Sequence, residues 1–134
     1  MTLPEPRIEA TTAPYWQAAA EERLLLPRCR SCGRVHHHPR GLCPYCWSAD
    51  LDWVEAAGTG EVVTFSVVHQ PPSPAFAVPY VLAVVELTEG PRMMTNIIDV
   101  DPARVTVGMA VTVTFEQRTQ TTLPQFRPAS RTPT

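Results

Sequence analysis

Lysine is absent: all eleven basic residues are arginine. A lysine Schiff base and a phosphate-loop lysine are therefore excluded. Long apolar runs are also missing. The longest, Tyr80–Val85, holds six residues, against about twenty for a membrane-spanning helix. The opening Met1-Thr-Leu-Pro-Glu-Pro-Arg-Ile-Glu carries acids and prolines where a secretory leader carries a basic and then an apolar stretch, so a cytoplasmic location without membrane association is expected. No excess of positive charge is present. The formal net charge of −2 speaks against a protein that lives on the phosphate backbone of nucleic acid. Histidine outside positions 36–38 is confined to His69, and every cysteine lies between 29 and 46. No nucleophile–base–orienter set is in view, so no catalytic residue is expected.

What is present suits a small folded chain. The 134 residues correspond to one domain or two very small ones, and 44% hydrophobic content is enough for a core. Proline occurs 15 times, about twice its usual share, which favours rigid loops and edge strands over long helices. One helix is predicted over Tyr15–Leu25, capped by Thr12 or Ala13, with Pro14 in its first turn and Pro27 preventing its continuation past Leu26.

After the helix the pattern changes to strands. Val111, Val113 and Phe115 alternate with Thr112, Thr114 and Glu116, and Val63, Phe65 and Val67 alternate with Thr64 and Ser66; this is period two with one wet face. Val81–Leu87 is apolar on both faces apart from Glu86, so it is either a central strand or one whose outer face is covered. Gly58-Thr-Gly60 reads as a turn, and Glu89-Gly90-Pro91 as the close of a hairpin between 80–88 and 92–98. Five or six short strands imply a small barrel. The expected divisions are an arm and helix over 1–27, a cysteine-bearing module over 28–50, a barrel over 51–128 and a flexible tail over 129–134.

The cysteines form two C-x2-C pairs, Cys29-Arg-Ser-Cys32 and Cys43-Pro-Tyr-Cys46, with ten residues between them. In a reducing compartment such pairs are expected to be metal ligands rather than disulfides. Each pair offers two sulfurs from one tight knuckle, and two knuckles complete a tetrahedron of soft thiolates suited to zinc. Four protein ligands leave no open position, so the zinc is expected to be structural. Iron could use the same sulfurs, and a dithiol redox pair would need a thioredoxin-like context that is missing.

Gly33 follows the first knuckle, where positive φ is favoured, whereas Trp47 occupies the matching position of the second, so either that turn differs or it carries local strain. His36, His37 and His38 lie between the knuckles and are expected at a solvated hairpin tip, since the thiolates already fill the metal's shell. Arg28, Arg30, Arg34 and Arg40 surround the pairs. They read either as compensation for a tetrathiolate cluster of net charge −2 or as an anion site. The Pro71-Pro-Ser-Pro74 loop reads equally as an interface or a plain connection. Val78-Pro-Tyr80 reads as a structural strand start or as one wall of a pantetheine channel. Glu61, Glu86 and Asp99 are expected to be solvated acids.

The order Tyr15-Trp16, Arg28-Cys-Arg-Ser-Cys-Gly33, Pro39-Arg40, Cys43-Pro-Tyr-Cys46, Gly58-Thr-Gly60, Val78-Pro-Tyr-Val81, Val85-Glu-Leu-Thr-Glu-Gly90 and Gly108-Met-Ala-Val111 resembles the DUF35 family across roughly residues 14–118. The resemblance implies a mainly β fold, with an N-terminal helix, a rubredoxin-like zinc ribbon and a C-terminal OB-fold barrel. It also implies a non-catalytic accessory subunit of a thiolase or thiolase-like aldolase acting on acyl-CoA thioesters. In related assemblies the OB-fold helps to hold coenzyme A, and some members join hydratases of steroid side-chain breakdown. The competing expectation, a single-stranded nucleic-acid-binding module, shares the ribbon and barrel. It lacks the positive charge and the row of interleaved aromatics that such binding uses. A stand-alone thioesterase-like hydrolase is the third alternative.

Overall fold

The computed structural model describes Pro6 and residues 8–129. Of the tail expected at 129–134, only Ala129 falls among the described residues. The chain is mainly β, as expected.

Helix α1 (Ala13–Ala20) begins at Thr12 and carries Pro14 in its first turn, where a missing N–H costs no helical bond. It buries Tyr15, Ala18 and Ala19. Its end is earlier than the predicted Leu25. Glu22 adopts a left-handed backbone (φ 61), and the Arg23 N–H turns back to the Ala18 carbonyl, which closes the helix. Leu24 and Leu26 are then buried by an extended chain, β1 (Leu25–Cys29). Pro27, expected as a helix stop, instead sits in β1 opposite Trp53. The two-stranded sheet of β1 and β2 (Leu51–Glu55) consists only of edge strands, where proline is tolerated. Because β2 pairs with β1, the first sheet straddles both residue 27 and residue 50.

The other five strands are β3 (Thr59–Val68), β4 (Tyr80–Leu87), β5 (Arg92–Ile97), β6 (Ala110–Gln117) and β7 (Thr122–Pro128). They close a barrel in the order β3-β4-β5-β7-β6. Thr59 and Gly60, expected in a turn, already belong to β3. Gly60 is needed for close approach: a Cβ there would lie 2.5 Å from the Glu86 carbonyl oxygen. The β4–β5 hairpin turns at Glu89-Gly90-Pro91 as expected, with the Gly90 N–H donating to the Leu87 carbonyl.

Strand alternation builds the core. Val81, Ala83, Val85 and Leu87 of β4 point inward beside Val62, Met93, Ile97, Val111 and Phe126. Leu82 and Glu86 are left outside. Helix α1 packs against both β1 and β7, so it ties the cysteine-bearing sheet to the barrel. Among the described residues no helix is long and apolar enough to cross a membrane.

Candidate metal centre

The two C-x2-C segments fold into matching knuckles. In the first, the Gly33 N–H donates to the Cys29 carbonyl and the Cys29 N–H to that of Arg34, at 2.8 and 2.9 Å. In the second, the Trp47 N–H donates to the Cys43 carbonyl and the Cys43 N–H to that of Ser48, both at 2.9 Å. The equivalence extends to backbone dihedrals, with φ 78 at Gly33 and φ 66 at Trp47. Of the two alternatives for Trp47, a different turn or local strain, the second therefore holds, and the residue is 76% exposed, so little packing offsets it. Trp47→Gly is expected to stabilise the metal-loaded protein by about 0.5–1 kcal/mol, the left-handed penalty less the extra unfolded-state freedom of glycine. An upward shift in the thermal unfolding midpoint would register it.

The knuckles bring the four Sγ atoms within 4.8 Å of one another. Cys29 and Cys46 are 3.5 Å apart and Cys32 and Cys43 3.7 Å apart at sulfur. Tetrahedral zinc with Zn–S bonds near 2.3 Å requires sulfurs about 3.8 Å apart. The donor set and its spacing thus fit a closed zinc–thiolate site, which leaves no position for a substrate. Backbone N–H groups of Cys32 and Tyr45 point at Cys29 Sγ and Cys43 Sγ, each at 3.4 Å. The Cys32 N–H is the main reason the Cys29 thiol is held down, at about 6. Cys46 moves up to about 12: the Ser48 N–H favours its thiolate, but the neighbouring sulfurs and burial oppose a second negative charge. A divalent cation removes that opposition.

The arginines separate into two groups. Arg28 makes a two-pronged contact with Asp52, at 3.2 and 2.9 Å, and this bonding holds the Asp52 carboxyl below the usual carboxylate range. Arg30 lies 3.6 Å from Asp50 and 3.8 Å from Asp52. Arg34 instead stacks over the Tyr45 ring at 4.8 Å, and Arg40 donates to the His38 carbonyl. Two of the four therefore neutralise carboxylates on the neighbouring sheet.

The histidines depart from expectation. A solvated tip describes only His38. His36 is 1% exposed, and neither of its ring nitrogens has a hydrogen-bond partner among the described residues. His37 is half-buried, with Nε2 3.3 Å from the Tyr15 hydroxyl and its ring edge-on to that of Tyr15. The physical reason is the docking of α1: Tyr15 is buried against this turn and draws the adjoining rings under it. None of the three belongs to the cysteine donor group.

Burial, followed by the positive groups at His38, His36 and Arg40, depresses His37 to about 3. Burial also pushes the Tyr15 phenol up, so it stays protonated and can donate to a neutral imidazole. In the unfolded chain His37 binds its proton near 6.5. The unfolded state therefore holds more protons between these values, and the stabilisation that is complete above about 6.5 declines as pH falls toward about 3. Zinc-saturated His37→Gln is expected to lose less stability than the unmodified chain between about pH 7 and about pH 5, as read from urea-unfolding midpoints.

No reactive set converges elsewhere among the described residues. His69, Glu61, Glu86 and Asp99 are all exposed, and Glu86 is paired with Arg92.

Comparison with known proteins matches both halves of the chain. The model described as the rubredoxin-like zinc ribbon domain of ChsH2 matches residues 16–52, and that of the ChsH2 C-terminal OB-fold domain matches residues 53–116. A probable enoyl-CoA hydratase alpha subunit of Thermomonospora curvata is 46% identical over 127 residues, which is 94% of this chain and 40% of that protein. The chain thus spans about two fifths of that relative's length. A DUF35 domain-containing scaffold protein of Methanocaldococcus jannaschii is 36% identical over 105 residues, covering 76% of this chain and 74% of that one. Among solved structures, a chain of the Ltp2-ChsH2(DUF35) aldolase aligns with a TM-score of 0.85 and 45% identity, over 94% of this chain and 100% of that chain.

Proposed function

We propose a function that proceeds from one fact: the chain belongs to the DUF35 family, whose ChsH2 members join a rubredoxin-like zinc ribbon to an OB-fold. It acts as a non-catalytic subunit of a thiolase-like aldolase or hydratase assembly that processes acyl-CoA thioesters in the cytoplasm. Cys29, Cys32, Cys43 and Cys46 hold one structural zinc ion. The zinc supplies a cross-link between the knuckles and no reaction step. The ribbon and helix orient the barrel, and the barrel helps the partner to hold the coenzyme A thioester and to organise its active site.

The observation that carries this reading is the alignment over the full length of a chain of an aldolase assembly. The absence of a converging nucleophile and base among the described residues supports a non-catalytic role. A nucleic-acid role draws no support from the charge. Arg28, Arg30, Arg92 and Arg118 are all paired with carboxylates, and a phosphate-tracking groove needs unspent positive charge.

The test is co-expression with an Ltp2-type thiolase-like subunit, followed by light scattering on the eluted complex. A stable heteromer of defined mass is expected. Separate elution of the two chains at micromolar concentration contradicts the reading.

A further inference from the structure

Trp47 stands at a backbone position that costs stability. Its φ of 66 lies in the left-handed region, where an L side chain is strained and glycine is not. The matching position of the first knuckle is Gly33, whose N–H makes the same bond to its cysteine carbonyl. The knuckle itself therefore requires no side chain there. Packing does not offset the strain either, since Trp47 is 76% exposed. Strain that the local fold neither needs nor compensates points to a function for the side chain.

Its surroundings show which function. Eight large apolar residues are exposed among the described residues, and three of them, Leu42, Tyr45 and Trp47, fall within residues 42–47. Apolar residues exposed singly are ordinary, whereas a contiguous group marks a contact surface. Leu42, Pro44 and Trp47 line a hollow of about 390 Å³ together with Arg40. A second hollow, of about 230 Å³, shares Arg40 and Gly41 with the first and runs to Leu51 and Trp53. The two make a groove across the ribbon with Arg40 between them. Arg28 and Arg30 are engaged by Asp50 and Asp52. Among the described residues, Arg34 instead stacks on the Tyr45 ring and Arg40 donates to the His38 carbonyl, and neither meets a carboxylate. Their charge offsets that of a tetrathiolate zinc cluster, but most of their N–H donors stay open to acceptors outside the chain.

Tryptophan, tyrosine and arginine are the side chains that dominate binding energy at protein interfaces. The knuckle's backbone bonds hold them in place before contact, which lowers the entropy lost on docking. A nucleotide would use the indole and the arginines but leave Leu42 and Pro44 uncovered, whereas a protein surface covers all of them. We propose that the second knuckle docks the thiolase-like subunit, with Trp47 seated in an apolar socket of the partner and Arg34 and Arg40 facing carboxylates at its rim. This inference rests on the subunit reading and adds to it the surface through which the chain joins the assembly.

Trp47→Gly separates the anchor from the fold, because it removes the indole and relieves the strain together. The zinc-loaded chain and its variants are titrated calorimetrically into an Ltp2-type thiolase-like subunit. Trp47→Gly is expected to weaken association about thirtyfold or more, while zinc is retained and the thermal unfolding midpoint stays level or rises. Leu42→Ser, on the wall of the hollow, and Arg40→Gln are each expected to weaken it about tenfold at low ionic strength. Association that Trp47→Gly and Leu42→Ser both leave unchanged overturns this proposal and leaves the subunit reading standing. Failure of the unmodified chain to associate overturns both. A loss in Trp47→Gly that comes with a lower unfolding midpoint or with loss of zinc indicates a structural role and also overturns the proposal. Saturable binding of adenosine 3′,5′-bisphosphate to the unmodified chain, abolished in Trp47→Gly, assigns the patch to a nucleotide instead.

Discussion

Cys43→Ser is expected to abolish stoichiometric zinc and to unfold the 28–50 segment while the barrel remains folded. Cys43 is fully buried, its carbonyl accepts the Trp47 N–H, and its sulfur sits 3.7 Å from that of Cys32. A serine oxygen is a hard, weakly acidic donor on a shorter bond and cannot complete a thiolate tetrahedron. Metal affinity should fall by about three orders of magnitude or more, or ~4 kcal/mol. In a module this short, metal binding supplies most of the folding free energy. Elemental analysis of protein purified without a histidine tag measures the loss. Near-ultraviolet circular dichroism, with Trp47 and Trp53 as reporters, follows the segment. His37→Ala serves as the control and should keep its zinc. Loss of metal there with retention in Cys43→Ser would reverse the ligand assignment.

Phe126→Ala should cost about 3–5 kcal/mol, enough to unfold much of a domain of ordinary stability. Phe126 is completely buried, and it stands where the barrel closes. It faces Val113 across the β6–β7 ladder and Ile97 across the single parallel β5–β7 pairing. Its carbonyl accepts the Ile98 N–H at 2.8 Å. Few backbone bonds fasten that seam, so side-chain packing carries it. Truncation removes the ring and leaves a cavity that strands on both sides cannot collapse into without shearing the closure. The loss should appear as a lower urea midpoint with an unchanged slope. The opposite pattern, a changed slope at a constant midpoint, would mean that the barrel opens without Phe126.

Much of this was legible before any coordinates because the informative residues act locally. A C-x2-C knuckle is a few residues long, so its metal chemistry is written in spacing alone, whereas the Gly33/Trp47 contrast left open whether the second turn differs or shares the positive φ that both adopt. Period-two alternation likewise marked β3 and β6, because one inward face is a local pattern. The misjudged features depend on distant partners. The Leu24–Leu26 run has good helix propensity, but pairing with Leu51–Glu55 made Leu25 and Leu26 part of a strand. The histidine run looked polar and exposed until Tyr15, more than twenty positions earlier, closed over it. A cleft of the barrel beside the 69–79 loop was invisible for the same reason. Phe76, Leu82, Phe115 and Arg118 lie in separate strands and loops, and only the closure of the barrel brings them together.

The subunit role can be put to one decisive measurement: acyl-CoA turnover by the zinc-loaded chain, first alone and then with increasing amounts of a thiolase-like partner. The expected result is no turnover by the chain alone at any substrate concentration, and a partner rate that rises to a plateau at a fixed ratio of the two. Turnover by the isolated chain, or a partner rate indifferent to its addition, would contradict the account.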